Sequence, residues 1–356
     1  MSVGEMTEQS VRAEPSRAPV GDPPAGDRKL SYGNAFREAI QQAMAADPDV
    51  FVAGEDVGAF GGVFHTFDGL QKEFGEERVV DTPISEQAIV GLGLGAAVSG
   101  LRPIVDLMFM DFICVAMDQI VNQVAKIKYM FGGSATVPLT ITTTGGAGVS
   151  ASAQHSQSLE AMLCHIPGLK VVYPSNAYDM KGLMTACIRE DNPTVLVKHK
   201  RLFGNSAMVP EAAYSLPLGR ANIVRHGDDV TVVTYGRMVT EVLAAADVLA
   251  AEGIRCEVID PRTLQPFDTA TVVASVKRTN RVVIVHEAVR FGGIGAEIAA
   301  QIQEEAFDYL DAPVGRVAAP FSPVPFSPVL EQQYLPDPVR IAEAIRSAVS
   351  RPLLGR

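Results

Sequence analysis

Two short segments of this chain combine residue types and spacing suited to proton transfer. The first is Asp81-Thr-Pro-Ile-Ser-Glu86, followed by Gly91, Gly95 and Ser99. Proline suits the first turn of a helix, and a carboxylate in that turn is favoured by the helix dipole. The pattern predicts a helix over 83–99, with small residues at 91, 95 and 99 on one face. That face would admit a second helix at close range, or pack in the core. Glu86 is then either a first-turn acid or a positioned acid–base group. The second segment is Ala153-Gln-His-Ser-Gln-Ser158, preceded by Gly145-Gly-Ala-Gly148. Glycine permits backbone shapes closed to other residues and close approach to a ligand. His155 lies in a polar, irregular stretch where a core histidine would be out of place, and imidazole exchanges protons near neutral pH.

Other chemistries leave less trace. The four cysteines (Cys114, Cys164, Cys187, Cys256) form no CxxC pair, and the six histidines lack metal-ligand spacing. The cysteines read as reduced, mostly buried thiols, with a thiol nucleophile as the alternative. Gly292-Gly-Ile-Gly295 opens a helix, where it lets the chain turn in or, alternatively, holds an anion.

Read together, the segments become specific. Glu86 with Gly91 and Gly95, Gly54-Glu-Asp-Val57, Phe109-Met-Asp-Phe112, Met117-Asp-Gln-Ile-Val-Asn122, Gln154-His-Ser-Gln157 and His165-Ile-Pro-Gly-Leu-Lys-Val-Val172 follow one another in a familiar order. In these the chain resembles the beta subunits of thiamine-diphosphate-dependent 2-oxo acid dehydrogenase decarboxylating components. Within that family it is most similar to the acetoin dehydrogenase branch, through Lys126-Ile-Lys-Tyr-Met-Phe-Gly-Gly133, the run from Asp228 to Val239, and Pro320-Phe-Ser-Pro-Val-Pro-Phe-Ser327. The resemblance covers Leu30 to Val349.

It implies a transketolase-like pair of α/β domains and half of a thiamine diphosphate site. Glu86 matches the glutamate that hydrogen-bonds the aminopyrimidine ring and favours the imino tautomer that deprotonates the thiazolium carbon. Phe112 matches the aromatic residue on the aminopyrimidine face, and Ile84 lines the same pocket. His155 matches the histidine of acyl transfer to a lipoyl group. A monovalent-cation (K+) site would use backbone carbonyls at Leu139 and Ile141 and the loop from Cys187 to Asn192. The Gly-Asp-Gly motif that holds magnesium and diphosphate in thiamine enzymes is absent from the sequence. Mg2+ and diphosphate are therefore expected from an alpha subunit, in an assembly of two alpha and two beta chains. The expected acyl acceptor is a lipoyl acyltransferase or a carrier protein. The resemblance implies transfer of an acyl group from a 2-oxo acid (pyruvate or branched-chain) or acetoin; many relatives carry arginine where this chain has Thr142, and an acid where it has Lys198, which leaves a different substrate open. A biosynthetic relative that passes a two-carbon unit from a ketose or oxo acid to a carrier protein is one alternative. A non-catalytic scaffold is the other.

These residues must be positioned by regular elements, and the pattern supplies them. Apolar runs at Val50–Ala53, Val79–Val80, Pro103–Leu107, Val137–Thr143, Lys170–Tyr173 and Thr194–Val197 read as strands. Helical periodicity at Ser31–Ala46, Pro83–Ser99, Phe112–Met130 and Asn176–Glu190 alternates with them. A second series places strands at Val230–Thr234, Arg255–Ile259, Arg281–His286 and Val314–Ala318, and helices at Val239–Ala251, Thr269–Lys277, Ile294–Phe307 and Val339–Val349. Such alternation predicts two doubly wound α/β domains with parallel sheets covered on both faces. The expected division is a disordered tail over 1–29, a pyrimidine-binding domain over 30–205, a linker over 206–220 and a C-terminal domain over 221–356. The chain of 356 residues is 47% hydrophobic with a net charge of −11. That charge argues against nucleic acid and anionic lipid as partners. No apolar run is long enough to span a bilayer and no signal peptide is visible, so a cytoplasmic protein is expected.

Overall fold

The computed structural model describes residues 27–351, so residues 1–26 of the tail expected over 1–29 lie outside the described residues. The chain enters regular structure at β1 (Arg28–Ser31), two residues earlier than the periodicity suggested. Helix α1 (Tyr32–Ala46) follows, with Ser31 as N-cap accepting the Asn34 N–H. Tyr32, Ala35, Phe36, Ala39, Ile40 and Met44 form its buried face. Then come β2 (Val50–Gly54), the short α2 (Leu70–Phe74), β3 (Val79–Asp81), α3 (Glu86–Val98) and β4 (Arg102–Phe109). Pro83 precedes α3 rather than opening it, because the chain stays irregular through Ser85 and Glu86 is the first helical residue.

The single helix expected over 112–130 is replaced by three pieces. A 3-10 stretch covers Met110–Ala116, a π-helical stretch Gln119–Val124, and α4 only Ile127–Met130. Apolar periodicity registers which face is buried and is blind to such changes of pitch. Next are β5 (Thr140–Gly145), α5 (Glu160–Cys164), β6 (Lys170–Val172), α6 (Ala177–Arg189), β7 (Thr194–His199) and β8 (Ser206–Val209). The second series contains β9 (Asn222–Arg225), β10 (Val230–Thr234), α7 (Met238–Ala251), β11 (Cys256–Asp260) and β12 (Thr263–Gln265). It ends with α8 (Thr269–Thr279), β13 (Val282–Val289), α9 (Ile294–Ala306), β14 (Gly315–Ala319), α10 (Pro328–Tyr334) and α11 (Pro338–Val349).

The strands form a seven-stranded sheet in the order β12-β6-β7-β5-β4-β2-β3 and a five-stranded sheet in the order β14-β13-β10-β11-β9. Both are parallel except at one edge, where β12 and β9 run antiparallel to their neighbours. β1 and β8 form a separate antiparallel pair. The strand β12 comes from the second series yet closes the first sheet. One apolar core also runs through both units, from Ile89 and Val105 to Val233 and Ile284. Among the described residues, no helix is long and apolar enough to cross a membrane.

Thr142 and Lys198, the two departures from the family pattern, meet inside the first sheet. Lys198 Nζ donates to Asp106 Oδ1 at 2.6 Å, and the Thr142 hydroxyl donates to the same oxygen. The ammonium also lies 4.5 Å from the Phe36 ring centroid and 5.5 Å from that of Phe67, a cation–π arrangement facing α1. All three polar residues are buried. Thr142 and Lys198 thus share one buried acceptor, Asp106. Removing one partner strands a buried charge, so Asp106→Leu is expected to cost about 3–5 kcal/mol. Urea unfolding measures this, and adding Lys198→Met should recover most of the loss. A double variant no more stable than the single one would show that the pair is not the cause.

Candidate functional site

In an open parallel sheet, ligands bind beyond the carboxyl ends of the strands. The sequence-predicted residues lie at that edge. Glu86 follows β3, Phe112 follows β4, and His155 follows β5. From β3 to β5 there are three strand steps, through β2 and β4. At roughly 4.8 Å per step, the strands β3 and β5 that lead to Glu86 and His155 run about 14 Å apart.

His155 and Phe112 come together directly. The imidazole meets Phe112 edge-on at 5.3 Å between centroids and Phe109 at 4.8 Å. Phe109 in turn packs edge-on against Phe64 at 5.5 Å. These rings wall the middle of the strand edge. Glu86 is half-buried in the first turn of α3. Ile84 is 82% exposed, so its side chain lines no pocket that this chain closes by itself. On α3 a Cβ at Gly95 would meet nothing within 4 Å, so the small-residue face is open and does not pack in the core. Val115, Tyr129, Met130 and Phe131 are exposed on neighbouring segments.

Three further residues lie along the same strand edge. Glu55, directly after β2, lies between Glu86 and Phe112 in strand order. Burial pushes its carboxyl above the ordinary range, the nearby Glu86 charge adds to this, and a hydrogen bond from the Ser85 N–H opposes it. One Glu55 oxygen is buried without a partner, as a group awaiting a ligand would be. The sequence held Glu55 in the Gly54–Val57 motif but gave it no role; its place just after a strand was the available signal. Asp111 Oδ1 accepts the side-chain amide of Gln157 at 2.9 Å, which ties the segment of Phe112 to that of His155. Lys200, after β7, donates to Gly146 O at 2.6 Å and to His155 O. Burial pulls its ammonium down to about 8, against the pull of Asp111, Glu287 and Glu331.

The expected cation site lies at the opposite edge of the sheet, and its residues are already engaged. Leu139 O accepts the Thr194 N–H at 3.0 Å and Cys187 O that of Glu190 at 3.2 Å, while Ile141 sits within β5, paired on both sides. Asn192 Oδ1 accepts Lys128 Nζ at 2.6 Å, Lys170 pairs with Glu190 at 2.6 Å, and Arg102 reaches Ile188 O at 3.2 Å. Three side-chain cations therefore hold this loop. Among the described residues, no group of three or more His, Cys, Asp or Glu could hold a metal.

The surroundings of the four cysteines favour the thiol over the thiolate. Cys187 and Cys256 are buried, and burial pushes their thiols up to about 12 and about 11. Burial raises the half-buried Cys164 and, contrary to the expectation of burial, the exposed Cys114 as well. The thiolate is the reactive form, and all four sites disfavour it.

Comparison with known proteins assigns the class and then the family. Residues 28–205 match the transketolase pyrimidine binding domain, and residues 219–341 the transketolase C-terminal domain. A solved chain described as split gene transketolase, inactive beta4 tetramer, shares the fold: its TM-score is 0.75 at 23% identity, covering 90% of this chain and 98% of that one. The fold is thus that of a transketolase-like protein. The acetoin:2,6-dichlorophenolindophenol oxidoreductase subunit beta of Cupriavidus necator is 49% identical over 332 residues, which is 90% of this chain and 98% of the relative. The pyruvate dehydrogenase E1 component subunit beta of Rickettsia felis is 46% identical over 318 residues, 89% of this chain and 98% of the relative. The chain belongs to the family of beta subunits of thiamine-diphosphate-dependent 2-oxo acid dehydrogenase components.

Proposed function

We propose that this chain is the beta subunit of an acetoin-cleaving dehydrogenase component, supplying the pyrimidine-side half of a site completed by an alpha subunit. The observation that carries the two-chain reading is the open half-site: Ile84 is 82% exposed beside Glu86, and the small-residue face of α3 has empty space above Gly95. The chain's own acids, rings and imidazole fit one end of thiamine diphosphate. When bound, that cofactor supplies the carbanion chemistry at its thiazolium ring. Glu86 holds a proton at the aminopyrimidine ring nitrogen. Phe112 packs on the ring face, with Ile84 at the pocket wall. Glu55, with its unpartnered buried oxygen, stands beside Glu86 as a second acid. His155, fixed between Phe109 and Phe112, carries a proton during acyl transfer to a lipoyl-bearing acyltransferase.

Mg2+ and the diphosphate are assigned to the alpha subunit, in an assembly of two alpha and two beta chains. The lack of Gly-Asp-Gly and the net charge of −11 support this, since a diphosphate has little reason to settle on such a chain unaided. K+ plays no part in the proposal. The division into units over 30–205 and 221–356, and a cytoplasmic location, belong to the same reading. Support for acetoin over pyruvate is the 49% identity to an acetoin:2,6-dichlorophenolindophenol oxidoreductase subunit against 46% to a pyruvate dehydrogenase subunit. The test is reduction of dichlorophenolindophenol by the complex reconstituted with its alpha subunit, thiamine diphosphate and Mg2+. Acetoin should be the preferred substrate. A clear preference for pyruvate or for a ketose would overturn that choice.

A further inference from the structure

The loop that carries His155 is held from outside its own unit. Between Gly145 and His155 the backbone takes positive φ at Gly146, Gly148, Ser150 and Ser152, at +85°, +97°, +55° and +66°. Serine is strained in that region, and such a path persists only when its surroundings enforce it. The surroundings here are carboxylates of the second unit. Glu331, at the start of α10 and 3% exposed, accepts the Gly148 N–H at 2.7 Å through one oxygen. Its other oxygen accepts the Ser150 N–H at 2.9 Å and the Ser150 hydroxyl at 3.2 Å. Glu287 in β13 accepts the Ala147 N–H at 2.6 Å and pairs with His199 at 2.8 Å. Lys200 closes the loop from below through Gly146 O and His155 O. Beyond the loop, Tyr235 donates to Glu160 at 2.7 Å.

Carboxylates that satisfy successive backbone N–H groups make strong, directional contacts. Two from one side chain fix a loop's path as well as its place. The plain alternative is that these contacts only join two units. That reading explains the hydrogen bonds but not why they converge on the strained stretch leading to His155.

We propose that Glu331 is a positioning residue for His155, clamping residues 147–150 so that the imidazole stays against Phe109 and Phe112. This inference rests on the proposed role of His155 in acyl transfer. Glu331 touches no reacting atom; it acts through the loop. Glu331→Gln keeps the size but replaces one acceptor oxygen with a donor, so one loop N–H loses its partner. Glu331→Asp keeps both oxygens and should restore part of the effect.

The test uses the complex reconstituted with alpha subunit, thiamine diphosphate and Mg2+. Three quantities are read in wild type and both variants: backbone amide exchange over residues 146–152, hydrogen–deuterium exchange at the thiazolium carbon, and acyl transfer to the lipoyl partner. In Glu331→Gln, loop amides should exchange faster and acyl transfer should fall about 10- to 100-fold, the scale of a small misplacement of a reacting group. Thiazolium exchange should stay near wild type, because Glu86 lies on helix α3, away from the His155 loop. Unchanged amide exchange over 146–152 would overturn the clamp. So would an equal loss of both chemical steps with a lowered melting temperature, the mark of general destabilisation. Amide exchange is independent of the substrate, so failure of wild type to transfer an acyl group would count against the functional reading while loop exchange still decides the clamp.

Discussion

Glu86→Gln should slow hydrogen–deuterium exchange at the thiazolium carbon of bound thiamine diphosphate by roughly 10²- to 10⁴-fold, the usual loss when a positioned acid–base group is removed. The substitution keeps the shape of the first turn of α3. Glu86 is half-buried there and lacks a side-chain capping bond at the preceding Ser85, so assembly should survive. A glutamine cannot hand over or retain the proton that stabilises the reactive tautomer. Neighbouring Glu55 already has a carboxyl raised by burial and by the Glu86 charge. Neutralising Glu86 removes that second contribution, so the Glu55 carboxyl should move back toward the ordinary range. Exchange as fast as in wild type would remove Glu86 from proton handling and leave Glu55 as the acid to examine.

The second large effect concerns His155. In His155→Ala, acyl transfer to the lipoyl partner should fall by about 10²-fold or more, while affinity for thiamine diphosphate stays near wild type. The imidazole packs edge-on between Phe109 and Phe112, which fixes its orientation. Its loop hangs from β5, three strands from Glu86, so the two ends of the site should respond separately. Cofactor affinity and single-turnover transfer rate, measured on the same preparation, distinguish the roles. Weakened cofactor binding with normal transfer would reverse the assignment.

Much of the framework was readable in the sequence because the strands are continuous apolar runs. Val230–Thr234 has the same bounds in the pattern and in the fold, and every residue in it is buried. The misreadings have specific causes. The 112–130 stretch keeps a buried face while its pitch changes from 3-10 to π, and periodicity does not register that change. The β1–β8 pair is short and partly exposed, so its strands looked like tail and linker. The strand β12 crosses to the other unit's sheet, which no local pattern encodes.

The candidate site divides in the same way. Glu86, Phe112 and His155 stood in motifs, and their common strand edge follows from the β–α alternation. Glu331, Glu287 and Lys200 come from three distant points of the chain, and only folding brings them to the His155 loop. Thr142 and Lys198 were visible as departures, but their shared contact with Asp106 is tertiary.

The central claim is that this chain holds half of a site. Its most direct test is calorimetric titration of thiamine diphosphate, with and without Mg2+, into the isolated chain and then into the chain mixed with its alpha subunit. The isolated chain should bind little and show no dependence on Mg2+. Tight, Mg2+-dependent binding should appear only with the alpha subunit and saturate at one alpha per beta. Strong Mg2+-dependent binding by the isolated chain, with mass spectrometry finding no co-purified partner, would contradict the half-site account.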